Sequence, residues 1–189
     1  MADSGSNGRI VPNGQNFNSE VSYEADGENP FRFGSFTTMG EFYVETGLNI
    51  IGMSDYKRIL SLDSAMAVVQ FKKDDVAYQR NYFISYPANV MVMRFSADQP
   101  GKQNLVFSYA PNPVSTGNMA SDGNKGLVYS ASLDNNGMKY VVRIQAETKG
   151  GTLFNADGKL TVKGADEVVF YITADTDYKP NFDPDFKDP

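Results

Sequence analysis

With 189 residues, 41% of them hydrophobic and 21% charged, the chain has enough apolar material for one packed domain and too much for wholesale disorder. Its 17 basic and 23 acidic residues give a net charge of −6, without the basic stripe that a phosphate backbone requires, so nucleic acid is excluded as a partner. The absence of cysteine rules out disulfides and thiolate chemistry, and the absence of histidine rules out a Ser-His-Asp triad, a Cys-His pair and any imidazole metal site.

Residues 1–35 are rich in Ser, Asn and Gly with isolated apolar residues, and read as an irregular N-terminal arm with a short strand near Glu20 to Tyr23. The texture changes at Phe36. In GEFYVETGL, Phe42 and Val44 alternate with Glu41, Tyr43 and Glu45, which is the period-two signature of a half-buried strand. YKRILSLDSAMAVVQF follows, with a loop-like or briefly helical start over Tyr56 to Ala65 that gives way to a strand. That strand passes through the KKDD turn at Lys72 to Asp75 into VAYQRNYFISY, so the two runs form a hairpin. NVMVMRFSA and NLVFSYA are further strands, separated by the turn ADQPGKQ. PNPVSTGNMASDGNKG is too long and too rich in Pro, Gly, Asn and Ser for a tight hairpin and reads as a crossover or exposed loop.

The last third repeats the hairpin idiom. LVYSASL and MKYVVRIQAE flank DNNG, where Asn136-Gly137 supplies the positive φ angles of a tight turn, and TLFN and KLTVKG flank NADG. EVVFYITADT sets Val168, Phe170 and Ile172 against Val169, Tyr171 and Thr173, apolar on nearly both sides, and so is a central strand. The Pro- and Asp-rich residues 179–189 read as a linker. About ten strands, short spacings and no sustained helical period predict an all-β domain over residues 36–178, an antiparallel two-sheet β-sandwich.

Carboxylates, lysines and tyrosines are the remaining candidates for acid-base work. Asp183, Asp185 and Asp188 could hold Ca²⁺ or act as an acid-base pair, but the prolines among them point to an extended solvated segment. Asp166 and Glu167 are adjacent on a strand, so they face opposite sides and cannot serve one substrate as a pair. Arg58, Arg80, Arg94 and Arg143 lie in or beside strands and need partners where buried. Arg94, in phase with Val90 and Val92, could bind a sugar carboxylate or hydroxyl, with a structural ion pair or interface contact as the expected role. Tyr78, Tyr82, Phe83, Tyr86, Phe95 and Tyr109 could contain a sugar-stacking platform; aromatics in strands are more often core, and the preferred stacking residue, Trp, is absent. The Gly-rich pieces GNKG and KGG lack the context of a phosphate loop. No metal site and no cofactor is expected.

Several of these pieces, in order, resemble the N-terminal domain of glycoside hydrolase family 95, the α-L-fucosidases and α-L-galactosidases. They are Met39-Gly40-Glu41-Phe42, then Tyr56-Lys57-Arg58, Leu62-Asp63 and Ala65-Met66-Ala67, then the run from Tyr78 to Pro87. The likeness continues through Val90 to Phe95, Ala97-Asp98, Pro100-Gly101, Gly164-Ala165-Asp166 and Thr176-Asp177-Tyr178. It covers about Gly34 to Pro184. Two departures stand out: the family's Trp-led opening with its Asn-Gly-Arg-Leu-Gly strand is matched only by Asn7-Gly8-Arg9-Ile10, and no helical barrel follows within these residues.

The resemblance implies a supersandwich that packs on an (α/α)6 barrel, with residues 179–189 leading toward that barrel. It also implies a parent enzyme that inverts configuration at α-linked fucose or galactose of an oligosaccharide, with acid and base supplied by the barrel. No catalytic residue transfers to this chain, and its substrate-binding residues are not defined. Tyr56, Arg58 and Asp63 are expected to fix a strand entry and an interface. The parent is expected to be secreted or periplasmic, although MADSGSNGRI lacks a signal-peptide core and no apolar run is long enough to span a bilayer. The rivals are a free-standing carbohydrate-binding β-sandwich and the sandwich of a related helical-barrel phosphorylase or hydrolase.

Overall fold

A computed structural model describes residues 37–134 and 136–178. The expected arm (1–35), the linker (179–189) and the aspartates 183, 185 and 188 lie outside the described residues. The described residues contain twelve strands: β1 (Gly40–Glu45), β2 (Met53–Ser61), β3 (Met66–Lys73), β4 (Val76–Ser85), β5 (Val90–Ala97), β6 (Gln103–Pro111), β7 (Ser115–Ser121), β8 (Gly126–Leu133), β9 (Lys139–Lys149), β10 (Thr152–Ala156), β11 (Lys159–Ala165) and β12 (Glu167–Thr176). They form two antiparallel sheets, one of four strands in the order β1-β6-β11-β10 and one of eight in the order β2-β3-β4-β5-β12-β9-β8-β7. This is the predicted β-sandwich.

Turn chemistry sets the registers. Asp74 and Asp75 both adopt positive φ between β3 and β4, as do Asp157 and Gly158 between β10 and β11; a two-residue hairpin loop with that pair of φ values matches the twist of its strands. Pro100-Gly101, with Gly101 at φ 71°, turns the chain from the large sheet into β6, and the Gly101 N–H donates to Asp166 Oδ1 at 2.8 Å.

The core lies between the small sheet and β5, β12, β9 and β8 of the large one. Phe107 of β6 and Phe170 of β12 are both fully buried and stack across the interface with centroids 4.5 Å apart, while Phe95 meets Phe170 edge-on at 5.9 Å. β12 lies between β5 and β9, in the interior of the sheet as its composition predicted.

Two expectations are corrected. Residues 115–121, read as loop, form β7, which pairs along its whole length with β8; Asn112 anchors the crossover before it, donating from Nδ2 to Thr37 Oγ1 at 2.8 Å and accepting from the Val114 N–H at 2.9 Å. Residues 56–61, read as loop or helical turn, belong to the edge strand β2, which carries a bulge between Ser54 and Lys57 with Asp55 at φ 53°.

At the far end of the sandwich, Tyr109 meets Tyr129 edge-on, Tyr140 packs on Tyr129 at a tilt, and the Tyr109 hydroxyl donates to the Met39 carbonyl at 2.5 Å. Burial is the leading cause that pushes the phenols of Tyr78, Tyr82, Tyr109, Tyr140 and Tyr171 above their ordinary value of 10.0. The fold thus favours their neutral form, a contribution fully present below pH 10 and lost as pH rises through the higher folded values. A tyrosinate titration followed by ultraviolet absorbance should resolve a late group, above the ordinary phenol range, that ionises together with the loss of β-sheet circular dichroism. A single unshifted titration in folded protein would refute this.

Candidate docking face

The two sheets differ in width, and the difference creates the most distinctive surface of the chain. Cross-strand register shows which side chains share the inner face of the large sheet. One rung runs Leu60, Ala67, Tyr82, Met93 and Phe170; the next runs Arg58, Val69, Arg80, Phe95 and Val168. The β5 and β12 members of both rungs are core, covered by the small sheet. Among the described residues the β2 and β3 members lie outside that core. Near the β3–β4 turn a second cluster of Phe71, Val76 and Tyr78 is covered by Leu48 of the β1–β2 connection and Met53 at the start of β2, but the opposite end of β2–β4 has no such cover among the described residues.

Exposed apolar side chains concentrate there. Leu60 is 72% exposed, Leu62 83%, Ile84 69% and Tyr86 94%. Leu60 and Tyr82 flank the small Ala67 on the same rung, so the inner face dips between two larger side chains. Patches of this kind on a soluble domain mark contact surfaces more often than chance allows.

Arg80 sits at the boundary between covered and open sheet. Its guanidinium lies over the Phe71 ring at 5.1 Å and the Phe95 ring at 5.8 Å and hydrogen-bonds the Tyr82 phenol, so its face is packed. Arg58 occupies the same rung on β2, two strands away, about 10 Å at the usual strand spacing. Both guanidinium groups draw the Tyr82 phenol downward, against the larger upward push of its burial. Among the described residues neither arginine has a carboxylate within ion-pair distance, whereas Arg94 pairs with Glu167 at 2.5 Å and Arg143 with Asp122 at 2.5 Å.

The sequence-predicted residues therefore separate. Arg94 takes the structural ion-pair role expected of it, on the outer face. Glu167 is its partner, and the Asp166 carboxylate accepts from a backbone N–H, so these two carboxylates point to different tasks. Of the aromatic series, Tyr78, Phe95 and Tyr109 are buried and Tyr82 and Phe83 half-buried; Tyr86 alone stands free, so the series assembles no stacking platform. Tyr56 and Arg58 lie exposed on the edge strand, and Asp63 lies in the exposed turn after it. Leu60 and Ile84 were not singled out by sequence. The one signal for Leu60 was its place in a strand apolar on both faces, Ile59 outward and Leu60 inward.

Comparison with known proteins gives these features a context. Residues 11–181 match the family model described as "Glycosyl hydrolase family 65, N-terminal domain". An Aspergillus niger protein named "Probable alpha-fucosidase A" is 29% identical over 163 residues, which cover 81% of this chain and 20% of that protein. A solved structure named "Putative kojibiose phosphorylase from human microbiome" superposes with a TM-score of 0.49 at 12% identity, over 72% of this chain and 22% of that one. The chain thus spans about a fifth of the length of the proteins it matches.

Proposed function

Since this chain belongs to the family of glycosyl hydrolase family 65 N-terminal domains, we propose that it is the non-catalytic β-sandwich of a larger glycoside hydrolase, built to support a helical-barrel catalytic domain. In this reading the full enzyme acts on α-L-fucosides or α-L-galactosides, as family 95 enzymes do, and meets its oligosaccharides outside the cytoplasm. The observation that carries the reading is the match over residues 11–181, combined with the similarity to a much longer protein named for α-fucosidase activity.

The chemistry agrees with a supporting role. Glycoside hydrolysis needs two carboxyl groups facing one another across a bound sugar, about 6.5–9.5 Å apart when configuration is inverted. The carboxylates with shifted acidity in this chain are engaged otherwise: Glu167 is lowered by its hydrogen bond from Arg94, Asp122 by that from Arg143, and Asp55 by that from Lys72. A lowered carboxyl is the opposite of what a general acid requires near neutral pH. In this reading the acid and base are supplied by the barrel.

Hydrolysis of matched aryl α-L-fucosides and α-L-galactosides should be measured with the protein extended along its natural reading frame and, in parallel, with the 189-residue chain. Sugar release by the longer protein alone is the expected result. Release by neither would leave a free-standing glycan-binding sandwich as the better reading, and release by the short chain would place catalytic groups within it.

A further inference from the structure

We infer that the open end of the β2–β4 face receives an acidic, apolar-flanked segment of the catalytic domain carried by the same polypeptide, with a carboxylate seated over Val69 between Arg58 and Arg80. The inference rests on the reading above and deepens it by naming the face and the chemistry of the contact. Four strand arginines exist on the large sheet, and the two on its outer face are paired within the domain. The two on the inner face share one rung, stand on either side of a valine, and have no carboxylate partner among the described residues. A carboxylate placed between two guanidinium groups accepts charge-assisted hydrogen bonds from both.

The neighbouring rung specifies the rest of the contact. The dip at Ala67, walled by Leu60 and Tyr82 and extended by Ile84, accepts an apolar side chain one strand-residue spacing or two from the carboxylate. An acidic residue followed closely by a large aliphatic one on the partner surface satisfies both rungs. This pairing of a desolvated charge with an apolar anchor is the usual arrangement of energetic centres in protein interfaces.

Two observations favour the catalytic domain as occupant over a second copy of this chain. The family is one of N-terminal domains, and the part matched in the α-fucosidase-named protein is only 20% of that protein, so in a full protein of that kind a partner surface is tethered at high effective concentration. In a symmetric pair, moreover, the same patch would meet itself and bring Arg58 and Arg80 toward their own counterparts, a like-charge arrangement that no acidic residue among the described inner-face positions of β2–β4 offsets.

Tyrosine nitration read by peptide mass spectrometry tests the assignment, because Tyr56 and Tyr86 border the face and are exposed. Both should react in the 189-residue chain and be protected at least tenfold in the extended protein. Arg58→Glu with Leu60→Asp should restore reaction at both sites in the extended protein, while the same changes leave the melting temperature of the short chain within about 3 °C. Should the double variant fail to fold, Leu60→Ser with Arg58→Ala serves the same comparison. Equal nitration in short and extended proteins would overturn the inference, as would a 189-residue chain that sediments as a dimer and is dissociated by Arg58→Glu. Glycoside hydrolysis measured on the same preparations separates the two ideas: an active extended protein with unprotected tyrosines defeats the docking face and leaves the proposed function standing. An inactive one with protected tyrosines does the reverse.

Discussion

Phe170→Ala is expected to cost about 3–5 kcal/mol of folding stability, read as a lowered urea midpoint with little change in slope. Phe170 is fully buried at the centre of the inter-sheet core, stacked on Phe107 from the small sheet and edge-on to Phe95 from its neighbour strand. Removing the ring therefore withdraws contacts from both layers at once. The surrounding side chains belong to paired strands and cannot collapse into the space without shifting a register, so the cavity stays largely open. A domain of this class has about 5–15 kcal/mol in total, so this one change consumes a large share. A loss below about 1 kcal/mol would mean that the two sheets do not meet at Phe170 as described.

Gly151→Val is expected to cost about 2–3 kcal/mol by adding strain and overlap at the same position. Gly150 and Gly151 both adopt positive φ, 69° and 65°, where the chain leaves β9 for the small sheet. A Cβ at Gly151 would run into backbone, the Lys163 carbonyl and the Ala165 nitrogen, in the bulged link before β12. Backbone on both sides leaves nothing flexible to yield. Gly150 offers the internal comparison, because the atoms nearest its Cβ would be those of the Asp166 carboxylate, at 3.2–3.5 Å. Gly150→Ala should therefore cost about 1 kcal/mol, the left-handed penalty alone. Thermal melts of the two variants should rank them in that order; equal losses would show that φ, and not the close approach, governs the turn.

The sequence was most informative where alternation and turn chemistry agreed. β12 could be placed in the interior because Val168, Phe170 and Ile172 are apolar while the opposite face is only half polar. The hairpins at Asp74-Asp75 and Asp157-Gly158 were legible because those residue types tolerate positive φ. β7 was not legible. STGNMAS has poor strand propensity, and its conformation is imposed by pairing with β8, as tertiary context commonly does at an edge. The docking face was hidden for a different reason. Leu60, Ala67 and Tyr82 alternate as core residues do, and period two reports which side chains share a face, not whether another layer covers it. Only the unequal widths of the sheets distinguish Leu60 from Phe170 on the same rung. That Arg58 and Arg80 have no carboxylate partner among the described residues was equally invisible, since ion-pair partners such as Glu167 for Arg94 lie 73 positions away.

Those unequal widths also bear on how the domain comes apart. Strands β5, β12, β9 and β8 pack on the small sheet and share one cluster of buried side chains with it, so none can leave without exposing the others. β2 and β3 are held chiefly by ladder hydrogen bonds to β4 and by the small cluster around Phe71. Their release exposes little apolar surface that was not exposed already, and its free energy is correspondingly smaller than that of the whole domain. Cooperativity is thus graded across a single sheet: a strongly coupled block on one side, and on the other a two-strand flap whose order depends on what lies against it.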